Sequence, residues 1–262
     1  MSQASIYSEA AGLLTAMMLL LWLVSVWRRN ASIVDPFWGT TFVVAGWWYF
    51  VRTPGGDPSR KLLLMVLVTV WGLRLSIYLL WRNWGQPEDP RYQAFRRRYG
   101  AERYWWVSFF QVFVLQGALS LVASSPLVAA AAAPAPDPLR ANDLLGALVF
   151  AAGFALEAVA DAQLARFRRD PSNRGRALDT GLWRYSRHPN YFGEAVLQWG
   201  LWLTALDAPG GAATAVGPAL MTWLLLKVSG VVMLERRLTA TRPGYADYAR
   251  RTSAFVPWWP KP

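Results

Sequence analysis

Leu182-Trp183-Arg184-Tyr185-Ser186-Arg187-His188-Pro189-Asn190-Tyr191-Phe192-Gly193-Glu194 is a basic loop that passes through a proline into an apolar helix. Pro189 has no backbone donor and a φ fixed near the helical value, so it suits a first helical turn. Asn190, Tyr191 and Glu194 fall in the opening turns of a helix otherwise composed for lipid, and His188 stands just before them. The free N–H groups and positive dipole end of such a helix favour a phosphate. Positive charges that only orient a membrane helix would account for the arginines. They leave Asn190 and Glu194, which lie beyond the arginines, without a reason.

Working outward, the same alternation of arginine-rich loop and apolar run fills the chain. Of its 262 residues 54% are hydrophobic and only 16% charged, with 27 Lys+Arg against 16 Asp+Glu. A soluble domain of this length carries more charge and shorter apolar runs. The arginines sit between apolar segments rather than on one polar domain, which points to a membrane surface and an anionic ligand, not to nucleic acid. The count of 0 Cys excludes disulfides, thiolate catalysis and cysteine-bound zinc, and 1 His excludes a multi-histidine centre. No metal site is expected. The first apolar run, near Leu13 to Trp27, lacks a basic leader and a small-residue cleavage site, so it reads as a retained helix.

Spans need about 20 mostly apolar residues. The expectation is an all-α integral membrane protein, a single domain over 1–262 with about seven spans: roughly 9–27, 34–51, 62–81, 105–131, 143–166, 190–208 and 213–235. The alanine- and proline-rich stretch 129–138 is expected as a short connection after the fourth. Arg28, Arg29, the runs Arg82 to Arg103 and Arg166 to Arg187, and the tail beyond Glu235 hold most of the basic residues. Arg52, Arg60, Lys61 and Arg140 make up the opposite set. That asymmetry places the arginine-rich loops and the C-terminus in the cytoplasm, with a bacterial inner membrane as the expected location.

Charged groups inside spans cost about 2.5–3.5 kcal/mol each on insertion scales, so each is a candidate for function. Asp35 opens the second span in Val34-Asp35-Pro36-Phe37-Trp38-Gly39, as either a helix cap before a proline or a site residue. Arg74 and Tyr78 share one face of the third span, and Glu157 and Asp161 one face of the fifth. The two carboxylates repel unless a cation or a ligand hydroxyl lies between them. Gln111, Gln116 and Gln198 add neutral polar groups, and Trp71 lies a turn from Arg74. Together they describe a polar pocket open toward the arginine-rich side. Tyr92, Phe95 and Tyr99, with arginines between them, predict an amphipathic helix on the cytoplasmic surface. The Tyr245 to Trp258 tail repeats that tyrosine and arginine spacing and reads as a further wall of the anionic site.

Arg187 to Glu194, followed by the Tyr245 to Pro257 tail, resembles the C-terminal half of the steroid 5-alpha-reductase family. Val114-Leu115-Gln116-Gly117, Asp161 and Gly181-Leu182-Trp183 extend the resemblance over about residues 110–262. The family comprises seven-helix membrane enzymes that use NADPH to reduce the carbon–carbon double bond of a conjugated 3-oxo steroid. The resemblance implies NADPH contacts in 105–262, at Asp161, Arg168, Arg176, Asn190, Glu194 and the tail residues Tyr248, Arg250 and Arg251; the charge and polarity of the loop and helix start add Glu157, Arg174, Arg187, His188 and Tyr191 as candidates. It implies a substrate side in 1–104, where Asp35 takes the place of a carbonyl-holding glutamate and Trp71 stands nearest the family's tyrosine. Indole cannot deliver a proton from oxygen, so Tyr78, with Arg74 on the same helix face, or a neutral Asp35 is the expected acid. Trp38, Trp71 and Gln116 are the expected contacts of an apolar, steroid-like substrate.

Arginine forks match phosphate oxygens better than lysine does, and no Gly-x-Gly-x-x-Gly follows a strand, so the cofactor site is not of the Rossmann kind. The Arg-His-Pro-x-Tyr core also resembles isoprenylcysteine and phospholipid methyltransferases, which use S-adenosylmethionine. That is the alternative function. A non-enzymatic sterol- or lipid-binding protein is a third. No obligatory protein partner is implied.

Overall fold

In a computed structural model the chain is described for residues 2–133, 139–228 and 230–261, most of them helical. The proline-rich connection expected at 134–138 lies outside the described residues. The helices are α1 (Gln3–Arg28), α2 (Trp38–Arg52), α3 (Pro58–Asn83), α4 (Pro90–Tyr99), α5 (Tyr104–Ala132) and α6 (Ala141–Arg169). There follow α7 (Pro189–Leu203), α8 (Gly211–Val228), α9 (Val231–Thr241) and α10 (Tyr245–Arg251). Their starts obey local chemistry. Asp57 and Asp89 cap α3 and α4 by accepting from Arg60 N at 2.7 Å and Arg91 N at 2.9 Å, each just ahead of a proline in the first turn. No β-strand occurs among the described residues, and Ser186 and Ser253 form an isolated bridge.

Five helices, α1, α3, α5, α6 and α8, are long and apolar enough to cross a membrane. The protein is therefore an all-α integral membrane protein. The second and sixth expected spans, α2 and α7, hold 15 residues each. At 1.5 Å per residue that is about 22 Å, short of a hydrocarbon core of about 30 Å. Among the described residues, length and apolarity support five of the about seven expected spans.

The chain divides into two compact units, Met1–Arg140 with Ala205–Thr214 and Ala141–Thr204 with Ala215–Pro262. In the first, Gly39 on α2 and Gly72 on α3 meet backbone to backbone. A Cβ on Gly39 would stand 2.3 Å from the Gly72 carbonyl oxygen. Met18, Val34, Tyr104, Val112 and Phe113 form a core around the ring of Tyr92. In the second, α6 and α7 are pressed together along two glycine pairs. A Cβ on Gly153 would lie 2.5 Å from Leu197 N, and one on Gly193 would lie 2.6 Å from Glu157 N. Gly146 and Gly200 repeat the arrangement seven residues along each helix. Close helix approach through small residues is how membrane helices pack where lipid offers no hydrophobic gain.

Candidate functional site

Asp35 lies in a 3₁₀ turn, Ala31–Phe37, between α1 and α2. It does not cap α2, whose N-terminus has no side-chain cap. Its carboxylate instead reaches α4. Arg91 Nη2 donates to Asp35 Oδ2 at 2.8 Å, and the Tyr92 hydroxyl donates to Asp35 Oδ1 at 2.6 Å. Gln116 Nε2, from α5, donates to the Tyr92 oxygen at 3.1 Å. Two further bonds fasten the start of α4 to the turn, Asp89 N to Ser32 Oγ at 2.6 Å and Ala31 N to Glu88 Oε1 at 2.8 Å, and Arg96 Nη2 holds that Glu88 oxygen from α4 at 2.8 Å. The amphipathic helix expected on the membrane surface is thus anchored by its polar face, and Tyr92 is buried at 4% exposure.

Burial shifts these groups toward their neutral forms. It pushes the Asp35 carboxyl above the usual carboxylate range, with Arg91 and the Tyr92 hydrogen bond opposing it. It also holds the Tyr92 phenol well above its ordinary value, the Asp35 charge adding to the effect. Both groups therefore keep a proton more readily than in water. Tyr92 is a proton donor on a carboxyl's doorstep, which the sequence alone did not single out.

The other substrate-side candidates lie elsewhere in the same unit. Tyr78 lies beneath two guanidinium groups, Arg74 at 5.3 Å and Arg82 at 5.8 Å from its ring centroid. Trp71 is fully buried edge-on against Phe42 at 5.1 Å, and Trp38 tilts against the same ring at 6.1 Å. The phenol that hydrogen-bonds Asp35 is that of Tyr92. Gln116, expected as a substrate contact, orients that phenol.

In the second unit the loop quoted at the outset is folded against the C-terminal tail. Arg187 N donates to Ser253 O at 2.9 Å, Ser186 Oγ to Phe255 O at 2.7 Å, and the Tyr248 hydroxyl to Trp183 O at 2.5 Å. Arg187 is engaged on all sides: Nε and Nη2 hold Glu235 at 2.6 and 3.0 Å, and Nη1 donates to the carbonyls of Ala249 and Thr252. Its fork is a clamp within the protein. Tyr248, likewise, bonds backbone rather than facing outward.

Burial would raise the Glu235 carboxyl, but His188 and Arg187 outweigh it and bring it down to about 2. His188, 1% exposed, lies 3.3 Å from Glu235 through Nε2 and stacks on Tyr191 at 5.4 Å. Asn190 Nδ2 donates to Asp161 Oδ1 at 3.1 Å, and Glu157, Asp161 and Glu194 are all buried. His188 Nδ1 and Asn190 Oδ1 are buried with no protein partner. By contrast Arg168, Arg174, Arg176, Arg250 and Arg251 are exposed, with Arg250 next to Asp247. Arg242 ties the loop by donating to the Arg176 carbonyl.

These features define a multi-pass α-helical membrane protein with a hydrogen-bonded carboxyl–phenol pair in one unit and a basic surface in the other. The chain belongs to the family described as "Protein of unknown function (DUF1295)", whose model matches residues 21–252. It is also 29% identical, over 290 aligned residues, to "Uncharacterized protein C594.04c" of Schizosaccharomyces pombe, an alignment covering 94% of this chain and 78% of the relative. No solved structure matches the chain.

Proposed function

We propose that the chain is an NADPH-dependent membrane reductase that saturates the carbon–carbon double bond of an apolar, steroid-like enone. The observation that carries this reading is the Asp35–Tyr92 pair. A carboxyl and a phenol in hydrogen-bond contact are what the resemblance asks of the residues that hold a 3-oxo group.

Reducing an enone puts a hydride on the β-carbon and moves an electron pair toward the carbonyl oxygen, after which the α-carbon takes a proton. An acid must meet the oxygen as its charge grows. In this reading Tyr92 donates to that oxygen. Gln116 holds the Tyr92 oxygen, Asp35 accepts the Tyr92 proton until a substrate oxygen takes that place, and Arg91, next to Tyr92 on α4, holds the Asp35 carboxylate. NADPH, when bound, supplies the hydride. The second unit fits such a group in kind: His188 Nδ1 and Asn190 Oδ1 are buried polar atoms left for a ligand, and exposed Arg168, Arg174 and Arg176 suit phosphates. Arg187, Glu235 and Tyr248 would act there by holding the loop in shape. The arginine distribution supports a cytoplasmic C-terminus, and hence cofactor access from the cytoplasm.

Thermal melting of detergent-purified protein with each cofactor tests the cofactor assignment. At 100 times its dissociation constant a ligand adds about 2.7 kcal/mol of stability. NADPH is expected to raise the melting temperature and S-adenosylmethionine to leave it unchanged. The reverse pattern would establish the methyltransferase alternative.

A further inference from the structure

A cleft of about 650 Å³ opens in the first unit between the end of α4 and the first turns of α5. Arg98 and Arg103 form its rim, Trp106, Phe110 and Leu115 its wall, and Gln111 sits among them. Arg96, two residues earlier on α4, is held by Glu88 at 2.8 Å, whereas neither Arg98 nor Arg103 forms an ion pair among the described residues. The wall side chains are all exposed, on a helix apolar enough to lie in lipid. Between Phe109 and Val114 α5 winds as a π-helix, a feature frequent at functional sites, and the Gln111 Oε1 carried on that stretch is buried without a partner.

The cleft therefore offers a cationic rim at one end, an apolar surface beneath it and one orphaned acceptor. Free phosphate would use the rim alone. An uncharged apolar molecule would use the wall and leave two arginines unanswered. An amphiphile with an anionic head satisfies both. We propose that this cleft binds one anionic phospholipid, its phosphate on Arg98 and Arg103 and an acyl chain along Trp106, Phe110 and Leu115. Arg98 belongs to the same ten-residue helix as Arg91 and Tyr92. A lipid held at its C-terminal end steadies the element that presents those two residues to Asp35.

The test uses the full chain, delipidated in a neutral detergent, with native mass spectrometry and thermal melting read on the same samples. Added phosphatidylglycerol is expected to leave one adduct per chain and to raise the melting temperature by about 5 °C. Phosphatidylcholine and inorganic phosphate at equal concentration are expected to do neither. The Arg98→Gln/Arg103→Gln double variant should lose both adduct and shift. Arg28→Gln/Arg97→Gln, which removes the same charge outside the cleft, should keep both. The proposal is overturned if the first double variant behaves as wild type, if both double variants lose the adduct equally, or if inorganic phosphate reproduces the shift.

Discussion

At the scale of single residues the decisive feature is how Asp35 is partnered. A cap would lose about 1 kcal/mol on truncation and leave everything else in place. The observed carboxylate holds a half-buried arginine and a buried phenol, so Asp35→Ala strands Arg91 Nη2 and frees Tyr92. Breaking a buried pair costs about 3–5 kcal/mol, and the 30% exposure of the Arg91 side chain discounts that to about 2 kcal/mol. Chemical denaturation of Asp35→Ala should show that loss together with reduced turnover; a small loss with full turnover would return Asp35 to a structural role.

Glu235 gives a pH signature. Its carboxyl is brought from 4.5 down to about 2, so its stabilising contribution is complete above about 4.5 and fades as pH falls toward about 2. The melting-temperature gap between wild type and Glu235→Gln should accordingly be widest near neutral pH and close on acidification from pH 4.5. A gap that stays constant with pH would show that the Arg187 clamp does not depend on that charge. Asp35 was legible as an anomalous charge. Tyr92 was not, because its partner lies 57 residues away and a tyrosine on an arginine-rich amphipathic helix reads as a lipid anchor. Arg187 looked like a phosphate ligand for the same reason: its carboxylate partner comes 48 residues later.

At the scale of elements, α6 and α7 are set by glycine. A Cβ on Gly193 meets only backbone, Glu157 N and the Gly153 carbonyl both at 2.6 Å, and backbone cannot move aside as a side chain can. Gly193→Ala should cost about 3 kcal/mol, at the upper end of overpacking penalties, and should also disturb Asp161 and Asn190 across the same contact. Gly12, on α1, has nothing within 4 Å of an added Cβ, so Gly12→Ala should gain up to about 1 kcal/mol from helix propensity. Equal melting temperatures for the two variants would contradict the packing argument. The spans were legible because apolar runs of 18 or more residues allow little else. The shortness of α2 and α7 was hidden. Apolar composition continues past the residues at which each helix ends, in Ala31–Phe37 before α2 and in Thr204 to Ala208 after α7.

At the scale of the whole molecule, the five long apolar helices make a membrane protein, and the two units divide the chemistry the proposal needs. The basic surface is oversupplied for a pyrophosphate alone. NADPH should therefore stabilise the protein more than NADH does in side-by-side melts, and equal stabilisation would remove the argument for a 2′-phosphate. No single stretch of sequence discloses the proposed acid, because Asp35, Tyr92 and Gln116 come from the turn before α2, from α4 and from α5.

The most direct test of the central claim is enone-dependent oxidation of NADPH by purified wild type and Tyr92→Phe, using a 3-oxo steroid with a conjugated double bond. Phenylalanine keeps the buried ring and removes only the donor. The account predicts turnover by wild type and a fall of about 10²–10³ in kcat for the variant, the usual effect of losing one donor to a developing oxyanion, with the NADPH-induced melting shift unchanged. Absence of enone-dependent oxidation in wild type, or full activity in Tyr92→Phe, would contradict it.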